Sequence, residues 1–158
     1  MGGGLFSVLE TVALRQGMNG VSSKVAYSVF LSSYSPNTCA LLQAGTVKAS
    51  GKILEIDLEW DTNDVSKPAQ WAGVTLTGGK NTLPNGDVVT LGVKGAAFDA
   101  ACASMSLPKV SGGGVVITSA SDAKISGTYE FQFSGGSLKG AFDVDVCEGK
   151  MPAPTCVP

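Results

Sequence analysis

Histidine is absent from the 158 residues, and with it go the Ser-His-Asp and Cys-His nucleophile schemes and every metal site built on imidazole. Charge is scarce: 15% of residues are Asp, Glu, Lys or Arg, against roughly 25% in an ordinary soluble domain. The 11 basic residues include a single arginine, Arg15, and meet 13 acidic ones for a net charge of −2. Phosphate-backbone binding needs a basic stripe, so nucleic acid is not an expected partner. No run of about 18 apolar residues occurs, which leaves no candidate transmembrane helix. None of the four cysteines, Cys39, Cys102, Cys147 and Cys156, belongs to a CxxC pair, so a zinc knuckle or thioredoxin-like motif lacks its signature.

What the chain does have is apolar residues, 44% of the total, and 21 glycines, near twice the usual share of ~7%. Glycine at that density favours tight turns over long helices. The length suits one core. We therefore expect a flexible linker at 1–4, a single β-domain at 5–148 and an extended Pro-rich tail at 149–158 held by Cys156 alone. Four cysteines predict two disulfides, and hence the periplasm, the outer membrane surface or the exterior of the cell.

Alternation of apolar and polar residues locates the strands. Leu5 to Arg15 is apolar and is read as a strand. Val25, Tyr27, Val29 and Leu31 share one side against Ala26, Ser28 and Ser32. In Lys52 to Asp61, Ile56, Leu58 and Trp60 oppose Glu55, Asp57, Glu59 and Asp61, giving a strand with one wet face. Thr62 to Trp71 is polar, contains Pro68 and reads as a loop. Val74 to Thr77 and Val88 to Val93 read as strands, with turn residues at Gly78-Gly79 and Asn85-Gly86. The glycines at 112–114 read as a break before a meander of Val115 to Ser119, Ile125 to Phe133 and Leu138 to Cys147. Strict period two in the last two strands fixes their register, because a slip by one residue would expose a whole apolar row. Ser35 as cap and Pro36 at the first helical position predict one short helix near 36–44, closed by Gly45. The architecture expected is all-β, an antiparallel sandwich or barrel with that helix at its side.

Candidate chemistry concentrates in the carboxylate row Glu55, Asp57, Glu59 and Asp61, continued by Asn63 and Asp64. Hard oxygen ligands at short spacing suit Ca²⁺, but an EF-hand counted from Asp57 would need Gly and Glu where Thr62 and Pro68 stand. Only Asp61, Asn63 and Asp64 at the strand end are placed to fold around a cation; the rest reads as a solvated face paired with Lys. Asp143, Asp145 and Glu130 offer a carboxylate pair for glycoside hydrolysis, yet parity puts them on solvent faces, away from the desolvation that would raise a pKa. Trp60 shares the core face, whereas Trp71, in the Pro-containing loop, is freer to be exposed and to stack on a sugar. The glycine runs lack the lysine of a phosphate loop.

The segment Ser33-Tyr34-Ser35-Pro36-Asn37-Thr38-Cys39-Ala40-Leu41-Leu42-Gln43 follows an apolar strand. With the run from Gly127-Thr128-Tyr129 through Gly135-Gly136-Ser137-Leu138-Lys139-Gly140-Ala141-Phe142-Asp143 to Cys147, it resembles uncharacterised lipoproteins of myxobacteria and related bacteria. The resemblance covers about a quarter of the chain. It implies a cell-envelope address and transfers no catalytic residue.

The expected function is a non-enzymatic envelope or extracellular β-domain, a binding or assembly module for a surface protein or glycan, without a cofactor. The alternative is a Ca²⁺-dependent carbohydrate- or surface-binding domain using Asp61, Asn63 and Asp64. An envelope address further predicts an upstream lipid anchor, with Met1 at or beside the position of a lipidated cysteine; a native start at Met1 is the other reading. Cys147 is in step with Asp143 and Asp145 and so points away from the apolar row, toward a covering element such as the helix that carries Cys39. The pairing expected is Cys39–Cys147, which leaves Cys102 with Cys156. Cys147–Cys156 with Cys39–Cys102 is the rival.

Overall fold

In chain order the elements are β1 (Glu10–Gly17), β2 (Lys24–Ser32), α1 (Cys39–Gln43), β3 (Thr46–Lys48), β4 (Lys52–Asp61), β5 (Thr75–Thr77), β6 (Gly79–Thr82), β7 (Val88–Phe98), β8 (Ser104–Ser106), β9 (Val110–Ala120), β10 (Lys124–Phe133), β11 (Gly136–Glu148) and β12 (Thr155–Val157). They come from a computed structural model that describes residues 5–17, 24–62 and 71–158. The fold is all-β with one short helix, as the alternation predicts. Its main sheet runs β5-β9-β10-β11-β1-β2-β4-β7-β6, with β8 also on β7. The sheet curls and is mixed rather than purely antiparallel, because β11 lies parallel to β1. A meander ending on β11 and a hairpin starting from β1 meet there side by side.

Period two decides what faces inward. Val25, Tyr27, Val29 and Leu31 of β2, Leu54 to Trp60 in alternation on β4, and Tyr129, Phe131 and Phe133 of β10 form one buried cluster inside the curl. Trp71 belongs to it too, only 1% exposed, with its ring 5.8 Å from Tyr27 and 6.2 Å from Trp60. The expectation that Trp71 is exposed is therefore wrong: the polarity of the preceding segment says nothing about a bulky ring that the core can accept. The rest of that expected loop, 63–70, lies outside the described residues.

The outer face of β1, β2, β4 and β7 is not simply wet. Val12, Leu14, Phe30, Ile53 and Phe98 form a second buried cluster there with Leu42 of α1 and Val47 of β3. Phe30 stands among Ala26, Ser28 and Ser32, and Ser32 itself is buried. The helix that covers this face is shorter than expected. Thr38, not Ser35, is its cap, its Oγ1 accepting from the Leu41 amide at 3.3 Å. Ser35 instead donates to Glu10 at 2.7 Å and the buried Asn37 donates to Ser32 at 3.2 Å, which ties 35–37 to the sheet as a loop. Gly45, at φ +72°, ends the element in the left-handed conformation expected of it.

Three further expectations are corrected. The first strand starts at Glu10, and the residues before it are held by amides of Leu5 and Leu9 donating to Ser137 and Ser32. The tail is extended, but it is not held by Cys156 alone: Thr155–Val157 pairs in parallel with Thr46–Lys48. Gly112, Gly113 and Gly114 do not break the chain; they lie inside β9, opposite Gln132, Phe131 and Glu130 of β10. A register shift between Gln132 and Phe133 marks a bulge at this point, and bulges and close backbone approaches are where a strand needs glycine.

The two ends of the sheet path, β5 and β6, are consecutive in the chain and separated only by Gly78. Asn81 fastens this corner: its Nδ2 donates to the carbonyls of Thr77 at 2.8 Å and Val89 at 3.2 Å, and its Oδ1 accepts from the Thr77 amide at 2.9 Å. Replacing Asn81 by Ala leaves the exposed Thr77 groups to water and the part-buried bond to the Val89 carbonyl unmade, and is expected to cost about 0.5–1.5 kcal/mol. Urea melts of the two proteins check this, and coincident curves would rule out the fastening role.

Candidate functional site

On the outer face the sheet register sets Glu55 of β4 opposite Phe30 of β2 and Lys94 of β7, and Asp57 opposite Ser28. Lys94 Nζ reaches Glu55 Oε2 at 3.2 Å and Asp57 Oδ2 at 3.1 Å, while Ser28 Oγ donates to Asp57 Oδ1 at 2.7 Å. Half of the carboxylate row thus forms a Lys-paired cluster, in keeping with the sequence reading of that face. Burial, reinforced by the neighbouring Asp57, pushes the Glu55 carboxyl up to about 7, with Lys94 acting against the rise.

That shift has a stability consequence. A carboxyl whose folded-state value lies above its unfolded value stabilises the fold fully below the unfolded value of 4.5 and loses this contribution as pH rises through about 7. Glu55→Gln, which does not titrate, should gain on the wild type across that window by on the order of 1 kcal/mol, allowing for solvent screening. Denaturant melts of both proteins at several pH values within it measure the difference, and a difference independent of pH would sink the argument.

Next to Glu55 lies a cavity of about 370 Å³. Phe30, Val47, Ile53 and Phe98 line it from the sheet side, Met151 to Pro154 from the tail, and Glu55 and Lys94 also contribute to its wall. The tail segment is fastened on both sides. Cys147 is bonded to Cys39 at the start of α1 and Cys156 to Cys102 in the loop after β7, with Cα–Cα distances of 6.1 and 5.6 Å. This is the pairing that parity predicts: Cys147 points to the outer face and α1 covers it. The residues 148–155 form a strap across the second apolar cluster, tied by sulfur at each end.

The other sequence candidates lie elsewhere. Asp61 ends β4 and is exposed, while Asn63 and Asp64 lie outside the described residues, so the proposed cation triplet is not placed. Glu130, Asp143 and Asp145 are exposed, as parity requires. Glu130 pairs with Lys139 at 3.4 Å and Asp143 with Lys124 at 3.2 Å. The hydrogen bond from Ser126 Oγ, followed by Lys124, holds the Asp143 carboxyl low, the opposite of what a general acid needs. Lys94, Phe98 and Met151 escaped the sequence reading. The available signals were Phe30 and Ile53, large apolar residues on sides otherwise read as wet.

A second cavity, of about 460 Å³, opens where β7 and β9 face each other without pairing, between Leu91 and Val93 on one side and Val110, Phe131 and Phe133 on the other. Comparison with protein-family models, curated proteins and solved structures gives no match. The two disulfides place the chain in an oxidising compartment outside the cytosol, and no helix among the described residues is long and apolar enough to cross a membrane.

Proposed function

We propose that this chain is a non-enzymatic, disulfide-stapled β-domain of the bacterial envelope or exterior that works by binding, and that it takes a small, largely apolar ligand in the cavity beneath its tail. The observation that carries this reading is the strap. A segment tied at both ends by bonds that last only in an oxidising compartment forms one wall of a concave apolar space. The volume falls within the range of small-molecule sites, roughly 300–1,000 Å³, and such sites are mostly apolar with a few polar groups for orientation. The likeness of residues 33–43 and 127–147 to envelope lipoproteins supports the same address.

The test uses a neutral naphthyl dye, N-phenyl-1-naphthylamine, whose fluorescence rises on leaving water. The oxidised protein should bind it saturably at one site. Ala96 lines the cavity, and Ala96→Trp, which adds an indole at that wall, should remove that signal while costing no more than about 1–3 kcal/mol of stability. Binding that survives both Ala96→Trp and reduction of the disulfides would refute this reading and point to the cavity between β7 and β9.

A further inference from the structure

Resting on the reading above, we infer that the cavity selects an organic cation: an aliphatic or aryl ammonium whose hydrocarbon part lies against Phe30, Ile53 and Phe98 and whose charged head meets Glu55. Glu55 and Asp57 carry two negative charges against the single positive charge of Lys94, and the three are joined by ion pairs of 3.1 and 3.2 Å. The cluster is therefore short of one positive charge when both carboxylates are ionised.

Exposure decides which charge the ligand meets. The Lys94 side chain is 68% exposed and that of Glu55 only 20%. Water screens the lysine, so the field inside the cavity is set by the carboxylate, whose lost hydration an incoming cation replaces. A carboxylate ligand would meet repulsion from Glu55 and would have to draw Lys94 away from two acidic partners. A neutral ligand would fill the apolar space and leave the charge imbalance as it was. Charge complementarity thus discriminates among ligands of equal hydrocarbon content.

A pH dependence follows with a definite sign. Among the described residues, the titratable groups facing Glu55 are Asp57 on its own strand and Lys94 on β7. From β2 come Phe30 and Ser28, and from the tail Met151 to Pro154, none of which titrates. Without ligand Glu55 is partly protonated near neutral pH, since its value lies at about 7. A bound ammonium favours the ionised form, so binding expels a proton and affinity rises with pH until Glu55 is fully ionised.

Displacement of the naphthyl dye by hexylammonium, hexanoate and hexan-1-ol, which share one chain and differ in charge, tests this. At about pH 8 hexylammonium should displace the dye at concentrations at least about tenfold below hexanoate. That advantage should shrink to less than about threefold at about pH 5.5 and in Glu55→Gln, the three competitors being compared on the same protein so that any change in dye affinity cancels from the ratio. If the dye binds but hexanoate or hexanol competes as well as hexylammonium, or if Glu55→Gln leaves the preference unchanged, the cation inference is overturned and the cavity reading stands. If the dye fails to bind the oxidised wild type, both are overturned.

Discussion

Replacing Cys39 and Cys147 together by Ser is expected to lower the unfolding free energy by about 2–5 kcal/mol. The bridge spans 108 residues of sequence, and the entropy of closing a loop of that size puts the ceiling near 5 kcal/mol. Measured values fall below such ceilings when the unfolded chain keeps some structure. Here there is a local contribution as well, because the bridge holds α1 and Leu42 on the outer cluster. Removing Cys102 and Cys156 opens a shorter connection, 54 residues, and a halving of loop length changes the closure entropy by only about 0.6 kcal/mol. The two double substitutions should therefore cost similar amounts of stability. Of the two, the second leaves the β12 end of the strap to its pairing with β3 alone and should weaken dye binding more than its stability cost suggests. Guanidinium melts and dye titrations on both variants decide this, and a Cys39/Cys147 variant as stable as the wild type would refute the account.

Gly113→Ala is expected to cost roughly 3–5 kcal/mol, more than most surface strand substitutions. The residue sits in β9 at φ +90°, where an L side chain is strained by about 1–2 kcal/mol. A Cβ built there would collide with the Glu130 carbonyl of β10. Gly114 is in similar difficulty with the Leu76 carbonyl of β5. Gly135 supplies the control, since it has φ +85° but nothing within 4 Å of an added Cβ. Gly135→Ala should show only the backbone strain, about 1–2 kcal/mol. Equal costs at the two positions would mean that φ alone matters and that the approach of β10 to β9 does not.

These glycines also mark where sequence reasoning stops. Period two found β2, β4, β10 and β11 because each has one face on the inner cluster, and parity at Cys147 found the disulfide partner for the same reason. A glycine has no side chain to join that pattern, so a triplet inside a strand cannot be told from a turn until the neighbouring strand is in place. The outer cluster was hidden differently. Phe30 and Ile53 look like exceptions on a wet face until α1 and the tail are seen to cover them, and those covers come from residues far along the chain. The Glu55–Lys94 pair depends on the β4–β7 register, which alternation within either strand does not contain.

The crossing order of the two bridges, Cys39 with Cys147 and Cys102 with Cys156, bears on survival among peptidases. Hydrolysis of any one peptide bond between residues 39 and 102 leaves the two pieces joined through Cys39–Cys147. A cut between 102 and 147 leaves both bridges spanning it, and a cut within the strap leaves Cys102–Cys156. A single nick anywhere from 39 to 156 thus releases no fragment, and the broken chain keeps most of the contacts that let it stay folded until a second cut or a reductant arrives.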